Sequence, residues 1–305
     1  MPPLLIDVRS YTIYRFRFSR IMEGKMKILD IRKNLFYLLL RSTLFMITLS
    51  FFVGCAEVPI THRESLRLVP ESELVTMSLK EYQQVLDKNK LSTDQNKVQA
   101  VRKVGNRIAK AAEALLKDLG RENQVRNYQW EFNLIEDDKV VNAWVMPGGK
   151  AAVYTGILPF TQDDSGLAVV LGHEVAHAIA EHGNERMSQG LLANMGAMAL
   201  SVALAQKPRQ TQELFMTVFG VGANVGLILP YSRLHEKEAD RIGLILMARA
   251  GYDPRVAVPF WERMNQKNET RSLEFLSTHP APSTRIANIK SYIPEAMPYY
   301  QKSLK

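Results

Sequence analysis

This sequence predicts a mainly helical α+β fold in which a small, mostly antiparallel sheet lies beside one motif-bearing helix. Three observations predict it. Apolar residues recur at helical spacing through most of residues 78–292, strand-like alternation is confined to residues 128–154, and a His-Glu-x-x-His pentapeptide falls within one of the helical stretches. With 305 residues there is room for one or two domains with a well-buried core.

Residues 1–54 carry nine Lys or Arg against three acids, so +6 of the formal +8 sits there and +2 is left for the rest. That distribution argues against a nucleic-acid-binding surface on the folded body. Ser42–Gly54 is a run of 13 uncharged residues, too short to span a bilayer and suited to the apolar core of a secretory signal. It ends at Cys55, the single cysteine of the chain, so no internal disulfide can form. Phe52-Val53-Gly54-Cys55 resembles a bacterial lipoprotein signal, which implies lipidation of Cys55, and Ala56 then implies sorting to the outer membrane. The expected organisation is a signal peptide over 1–54, with Met26 as a second candidate start, then a lipidated tether over 55–77 containing Pro59 and Pro70, then a globular domain over 78–305.

Within that domain, Tyr82, Val85 and Leu86, followed by Val98, Val101, Val104, Ile108 and Leu115, predict two helices separated by a break and cap at Ser92-Thr93-Asp94. Tyr128–Ile135 alternates as a half-buried strand does, and Val140–Val145 with Ala151–Tyr154 predicts a hairpin turning at Pro147-Gly148-Gly149. Asp163-Asp164-Ser165 can cap a helix running from about Ser165 to His182, with Gly183 as its stop. Gln189–Leu204 and Leu214–Leu229 are apolar runs of 16 residues each, expected as buried or membrane-facing helices. Further helices are expected over His235–Ala250, closed by Gly251, over Pro254–Gln266 and over Ser283–Tyr292.

His173-Glu174-Val175-Ala176-His177 lies on the helix whose apolar pattern includes Leu167, Val170, Leu171 and Ile179. At about 100° per residue, positions four apart differ by only about 40°, so both imidazoles leave one face and can meet one Zn²⁺. Glu174 stands beside them, placed to take a proton from water activated by the ion. His182 is nine residues from His173, about 180° round a continuous helix, and is expected as a surface or capping histidine. Glu236 and Asp240 lie four apart on a predicted helix, and spacing alone allows either to be the third ligand. Glu238, on the opposite face, is expected to be solvated.

The chain resembles the HExxH/ExxAD zinc metallopeptidases that include the CAAX prenyl endopeptidases, the HtpX membrane proteases and the OMA-type proteases. Asn142-Ala143-Trp144, Pro147-Gly148-Gly149, Tyr154-Thr155-Gly156, His173–His177, Glu236 with Glu238-Ala239-Asp240, and Thr278-His279-Pro280 with Arg285-Ile286 carry the resemblance across about residues 100–290. It looks most similar to periplasmic lipoproteins of the LoiP type. The resemblance implies a zincin-like (gluzincin) fold, one Zn²⁺ per chain on His173, His177 and Glu236, and Asp240 orienting a ligand histidine. It places His279 near the reacting atoms, to polarise the scissile carbonyl, to stabilise the oxyanion or to fill the open zinc position at rest, with Arg285 a weaker candidate for the charge role. Asn142 and the strand from Ala143 are expected to hold substrate backbone as an added strand.

These readings make the chain a zinc-dependent metalloendopeptidase, expected as a quality-control protease on the periplasmic face of the bacterial outer membrane. Expected partners are protein or peptide substrates, the membrane through the N-terminal lipid, and envelope assembly factors, with no nucleic acid. The rival class is a chaperone for outer-membrane proteins that keeps the zinc site with little turnover. A metal-scavenging lipoprotein would need surface His or acid tracts, which the sequence lacks.

Overall fold

A computed structural model describes residues 37, 38, 41, 54–223, 229–268, 273–279 and 284–305. The chain divides into two compact units, Met1–Cys55 and Ala56–Lys305, and the fold described here is that of the second. The expected signal run, apart from Gly54, lies outside the described residues.

The segment expected as a tether is folded. Strands β1 (Cys55–Glu57) and β2 (Glu64–Leu66) form a two-stranded sheet, the intervening loop buries Val58, and helix α1 (Glu71–Lys88) begins before the expected domain boundary. The physical reason is ionic: Arg63 and Arg67 on this hairpin reach Glu185, Glu238 and Glu181 of the body, which a polarity reading of residues 55–77 cannot anticipate.

Helix α2 (Gln95–Asp118) starts at the expected cap, where the Asp94 side chain accepts from the amides of Asn96 and Lys97 at 3.1 and 3.2 Å. Its apolar stripe, including Val101, Val104, Ile108 and Leu115, is buried. After the single turn α3 (Glu122–Val125) come β3 (Glu131–Ile135), β4 (Ala143–Met146) and β5 (Lys150–Tyr154), in the spatial order β3-β5-β4. The predicted hairpin pairs β4 with β5 antiparallel, Ala143 opposite Val153, and turns on Gly148 and Gly149 at φ +86° and +87°. β3 pairs with β5 in parallel, Glu131 opposite Lys150, so the small sheet has one pair of each kind and leaves β4 at its edge.

A short α4 (Leu158–Thr161) leads to α5 (Asp164–Ile179), capped by Asp163, whose Oδ1 accepts from the amides of Ser165 and Gly166 at 2.9 Å. Every residue of α5 from Gly166 onward is buried, as befits a helix enclosed on all sides. The chain does not stop at Gly183. Glu181 takes a left-handed conformation, φ 55°, and a new helix α6 (His182–Leu204) sets off from it, followed by α7 (Arg209–Ala223).

Beyond its buried base at His182–Gln189, α6 is largely exposed; Met195, Met198 and Val202 face outward, as do Leu214 and Val218 of α7. Among the described residues of these runs, the alternative of buried helices is not met; residues 224–228 lie outside the described residues. With its polar base included, α6 reaches 23 residues and is long and apolar enough to cross a membrane.

Helix α8 (Leu229–Arg249) packs along α5, followed by α9 (Ala257–Asn268), α10 (Glu274–Thr278) and α11 (Arg285–Ser303). The α5–α8 crossing is made by glycines. A Cβ on Gly172 would lie 2.9 Å from the Gly243 carbonyl oxygen, and one on Gly243 would lie 3.0 Å from the His173 amide nitrogen. Asp240 and Glu236 are three and seven residues before Gly243, so this close approach brings the same face of α8 onto His173. Gly172→Ala is expected to cost about 1–3 kcal/mol by forcing the helices apart. Thermal unfolding would show it as a lowered Tm, and an unchanged Tm would mean the crossing relaxes freely.

Candidate metal centre and active site

His173 and His177 project one turn apart from α5, with ring centroids 4.7 Å apart and Nε2 atoms 3.2 Å apart. Glu236 of α8 meets both, Oε2 3.2 Å from His173 Nε2 and Oε1 3.3 Å from His177 Nε2. His279, at the end of α10, places Nδ1 3.2 Å from His173 Nε2 and 3.1 Å from Glu236 Oε1. All four side chains are buried, and each offers a donor atom within 4.8 Å of the others.

The chemistry of this donor set fits a cation. His173 Nδ1 lies 3.1 Å from Asp240 Oδ1 and His177 Nδ1 lies 2.9 Å from His182 Nδ1, so each imidazole can spend its one N–H outward. Both Nε2 lone pairs then converge with the Glu236 oxygens, and a divalent metal satisfies such a set. Protonation preference divides the two imidazoles. Burial opposes a charged His173, yet its hydrogen bonds to Asp240 and Glu236 outweigh burial and lift it to about 9. His177 is pushed well below its usual value by burial. Glu236 is held well below the carboxylate range, burial being overcome by His177, His173 and His279.

Glu174 is 3% exposed, and its Oε1 has no hydrogen-bond partner, with His279 Nε2 3.4 Å away. Burial raises its pKa. A carboxylate with one unspent oxygen beside a donor cluster is equipped to accept a proton and return it.

Asp240 Oδ1, beside His173 Nδ1, also accepts from Arg285 Nη2 at 2.6 Å, and the Arg285 guanidinium lies 3.4 Å over the Trp261 ring. Arg285 is 1% exposed, with its Nη2 on Asp240 and its Nη1 donating to the His279 carbonyl at 3.3 Å. Asn142 is not brought into the cluster. Its amide donates to Glu274 Oε1 at 2.9 Å and its Oδ1 accepts from the Ala143 amide, which ties β4 to the short helix that ends at His279. Ala143 begins edge strand β4 and is buried. Cys55 is an exposed residue of β1.

Two residues, His182 and Glu238, differ from their sequence reading. His182 is fully buried, because the left-handed turn at Glu181 redirects the chain and swings it behind His177. It is neutral, burial pushing it down to about 4. Glu238 is 4% exposed and accepts from His182, Arg63 and Thr61, and Glu185 is 1% exposed between Arg63 and His235. Burial opposes ionisation of both carboxylates, but these partners hold each at about 2. Five of the chain's 6 histidines gather around this centre, and that convergence is the signal that could have marked His182 and His235.

Residues 102–293 match the family model described as Peptidase family M48. The mitochondrial metalloendopeptidase OMA1 of Schizosaccharomyces pombe is 41% identical over 170 residues, covering 55% of this chain and 48% of that protein. The human mitochondrial metalloendopeptidase OMA1 is 30% identical over 279 residues, covering 88% of this chain and 52% of its own length. The beta-barrel assembly-enhancing protease of Escherichia coli is 28% identical over 180 residues, covering 57% and 36%. The chain thus spans about half the length of most of the curated relatives it matches. These matches overturn the expected location on the bacterial outer membrane: the relatives of higher identity are mitochondrial, and the bacterial protease is more distant. A lipoprotein-like tetrapeptide is too short to outweigh similarity over hundreds of residues.

Proposed function

Since this chain belongs to peptidase family M48, a family of zinc metallopeptidases, we propose that it is a zinc-dependent endopeptidase that cuts protein chains presented in extended form. The observation that carries the reading is the buried set His173, His177, Glu236 and His279 with the unspent Glu174 oxygen beside it. His173, His177 and Glu236 would hold one zinc ion. Zinc bound there supplies Lewis acidity toward a carbonyl oxygen and lowers the pKa of water. Glu174 accepts the proton that water gives up and passes it to the departing amine. His279 holds the fourth place in the set, on a helix braced against β4 by Asn142 and Glu274, where it can meet the charge that develops on the substrate oxygen.

Edge strand β4, beginning at Ala143, has a side that no strand among the described residues pairs with, on which an extended segment could add as a further strand. A cleft lined by Val145, Pro147, His177 and Arg186 joins that strand to the cluster. Unfolded and misfolded proteins supply such segments, so protein quality control is the role we propose.

The test is zinc analysis together with cleavage of casein by the purified protein. About one zinc per chain is expected, with cleavage abolished by a chelator and restored by added zinc. A folded protein that takes up no zinc would overturn the reading, and zinc uptake with no cleavage would favour a binding role for unfolded chains.

A further inference from the structure

The two metal-facing histidines of α5 are braced in different ways, and the difference leads outside the site. His173 Nδ1 meets a carboxylate directly, Asp240, which Arg285 pins in place. His177 has no carboxylate at its Nδ1. It meets His182 Nδ1 at 2.9 Å, and His182 Nε2 meets Glu238 Oε2 at 3.1 Å.

With both imidazoles neutral, only one assignment of protons satisfies this chain. Glu238 accepts, so His182 must carry its proton on Nε2 and present a lone pair at Nδ1; His177 must then donate from Nδ1, which leaves its Nε2 lone pair aimed at Glu236 and His173. The reverse assignment sets two lone pairs against each other at Glu238 and points an N–H into the donor cluster.

Glu238 is itself held from the N-terminal hairpin. Thr61 Oγ1 donates to Oε1 at 2.7 Å, Arg63 Nε donates to Oε1 at 3.0 Å and Arg63 Nη2 to Oε2 at 2.9 Å. The same guanidinium forks onto Glu185 with two bonds of 2.7 Å and reaches the Glu64 carbonyl at 3.1 Å, so its donors are fully engaged. Glu185 in turn accepts from His235 Nε2 at 2.9 Å, and the His235 ring stacks on His182 at 4.3 Å and 16°, holding the relay imidazole in its plane. The loop that presents Arg63 is tight, with Ile60 and His62 in left-handed backbone at φ 67° and 56°. Val58 at its base is fully buried and closes the loop by hydrogen bonds with Arg63 and His62.

We infer that Arg63 is a positioning residue of the metal site, acting through Glu238 and His182 to set the tautomer and orientation of His177. The hairpin that looks like a tether in sequence is thereby part of the site, and displacing it loosens a metal ligand 114 residues away. The inference rests on the zinc-peptidase reading above.

The experiment measures zinc Kd by chelator competition, the visible spectrum of the cobalt-substituted protein, and the Tm of the metal-free protein, for wild type and variants of the full chain. Arg63→Ala is expected to weaken zinc by about 10–100-fold and to alter the cobalt spectrum. Arg63→Lys is expected not to rescue, because an ammonium cannot fork to two carboxylates. Ser188→Ala is the control, since Ser188 Oγ holds the Leu68 amide just past the same hairpin at 2.8 Å without joining the relay; it is expected to lower Tm and to leave zinc Kd and the cobalt spectrum unchanged. Arg63→Ala combined with His182→Ala is expected to bind zinc no more weakly than the worse single variant, the signature of one shared path.

If Arg63→Ala does not fold, Glu238→Gln carries the same comparison, because it keeps the side-chain size and removes the charge that Arg63 and His182 share. Unchanged zinc Kd and cobalt spectrum in the folded variant would overturn the inference. So would additive losses in the double variant. A wild-type protein that binds no zinc would instead overturn the peptidase reading itself, and the two failures are distinct.

Discussion

Glu174→Gln is expected to leave zinc content near that of the wild type while lowering kcat by about 10²–10⁴-fold, the usual worth of a positioned acid-base group. That loss corresponds to about 3–5 kcal/mol of transition-state stabilisation. The amide keeps the shape of the buried side chain but cannot take a proton, and Glu174 is not one of the four residues whose donor atoms converge. Removing the buried carboxylate, whose pKa burial raises, also removes a desolvation cost, so Tm is expected to hold or rise. Zinc analysis, steady-state cleavage and thermal unfolding of the same preparation would check all three. Cleavage at the wild-type rate would sink Glu174 as the proton acceptor.

Glu236→Ala is expected to abolish both zinc retention and cleavage. Changes one shell further out already cost about 10–100-fold in metal affinity, and loss of a ligand exceeds that. Here the loss is compounded: Glu236 is the only carboxylate among the four convergent donors, and it touches His173, His177 and His279 at 3.1 to 3.3 Å. Its removal leaves the imidazoles facing one another without a negative charge. Metal analysis after dialysis against a mild chelator would show the loss, and near-stoichiometric zinc in the folded variant would reassign the third ligand.

The two variants separate binding from chemistry. Glu174→Gln should hold metal and fail to turn over, whereas Glu236→Ala should fail at both. A protein that used zinc only as a structural brace would show the second pattern but not the first.

Much of this architecture is written in local spacing. The helix under His173–His177, the caps at Asp94 and Asp163, the turn at Gly148-Gly149 and the break at Gly251 each depend on residues within a few positions of one another, and short-range geometry decides them. The pairing of two histidines on one face of α5 is of this kind, since it follows from helical pitch alone.

Contacts between elements are not local, and the tertiary structure decided them. Which acid of α8 faces the convergent Nε2 atoms depends on a glycine-to-glycine crossing at Gly172 and Gly243, not on the spacing of Glu236 and Asp240, which suits either. Glu238 is polar and lies on the other side of α8, so pitch assigns it to solvent; the N-terminal hairpin covers it and turns it into an anchor. Helical pitch puts His182 on the far face of a continuous helix, and a single left-handed residue at Glu181 reverses that placement. Sequence by itself determined the chemistry available on each helix face, because backbone geometry repeats; only the tertiary structure decided which faces meet, because burial and charge pairing are settled between segments more than a hundred residues apart.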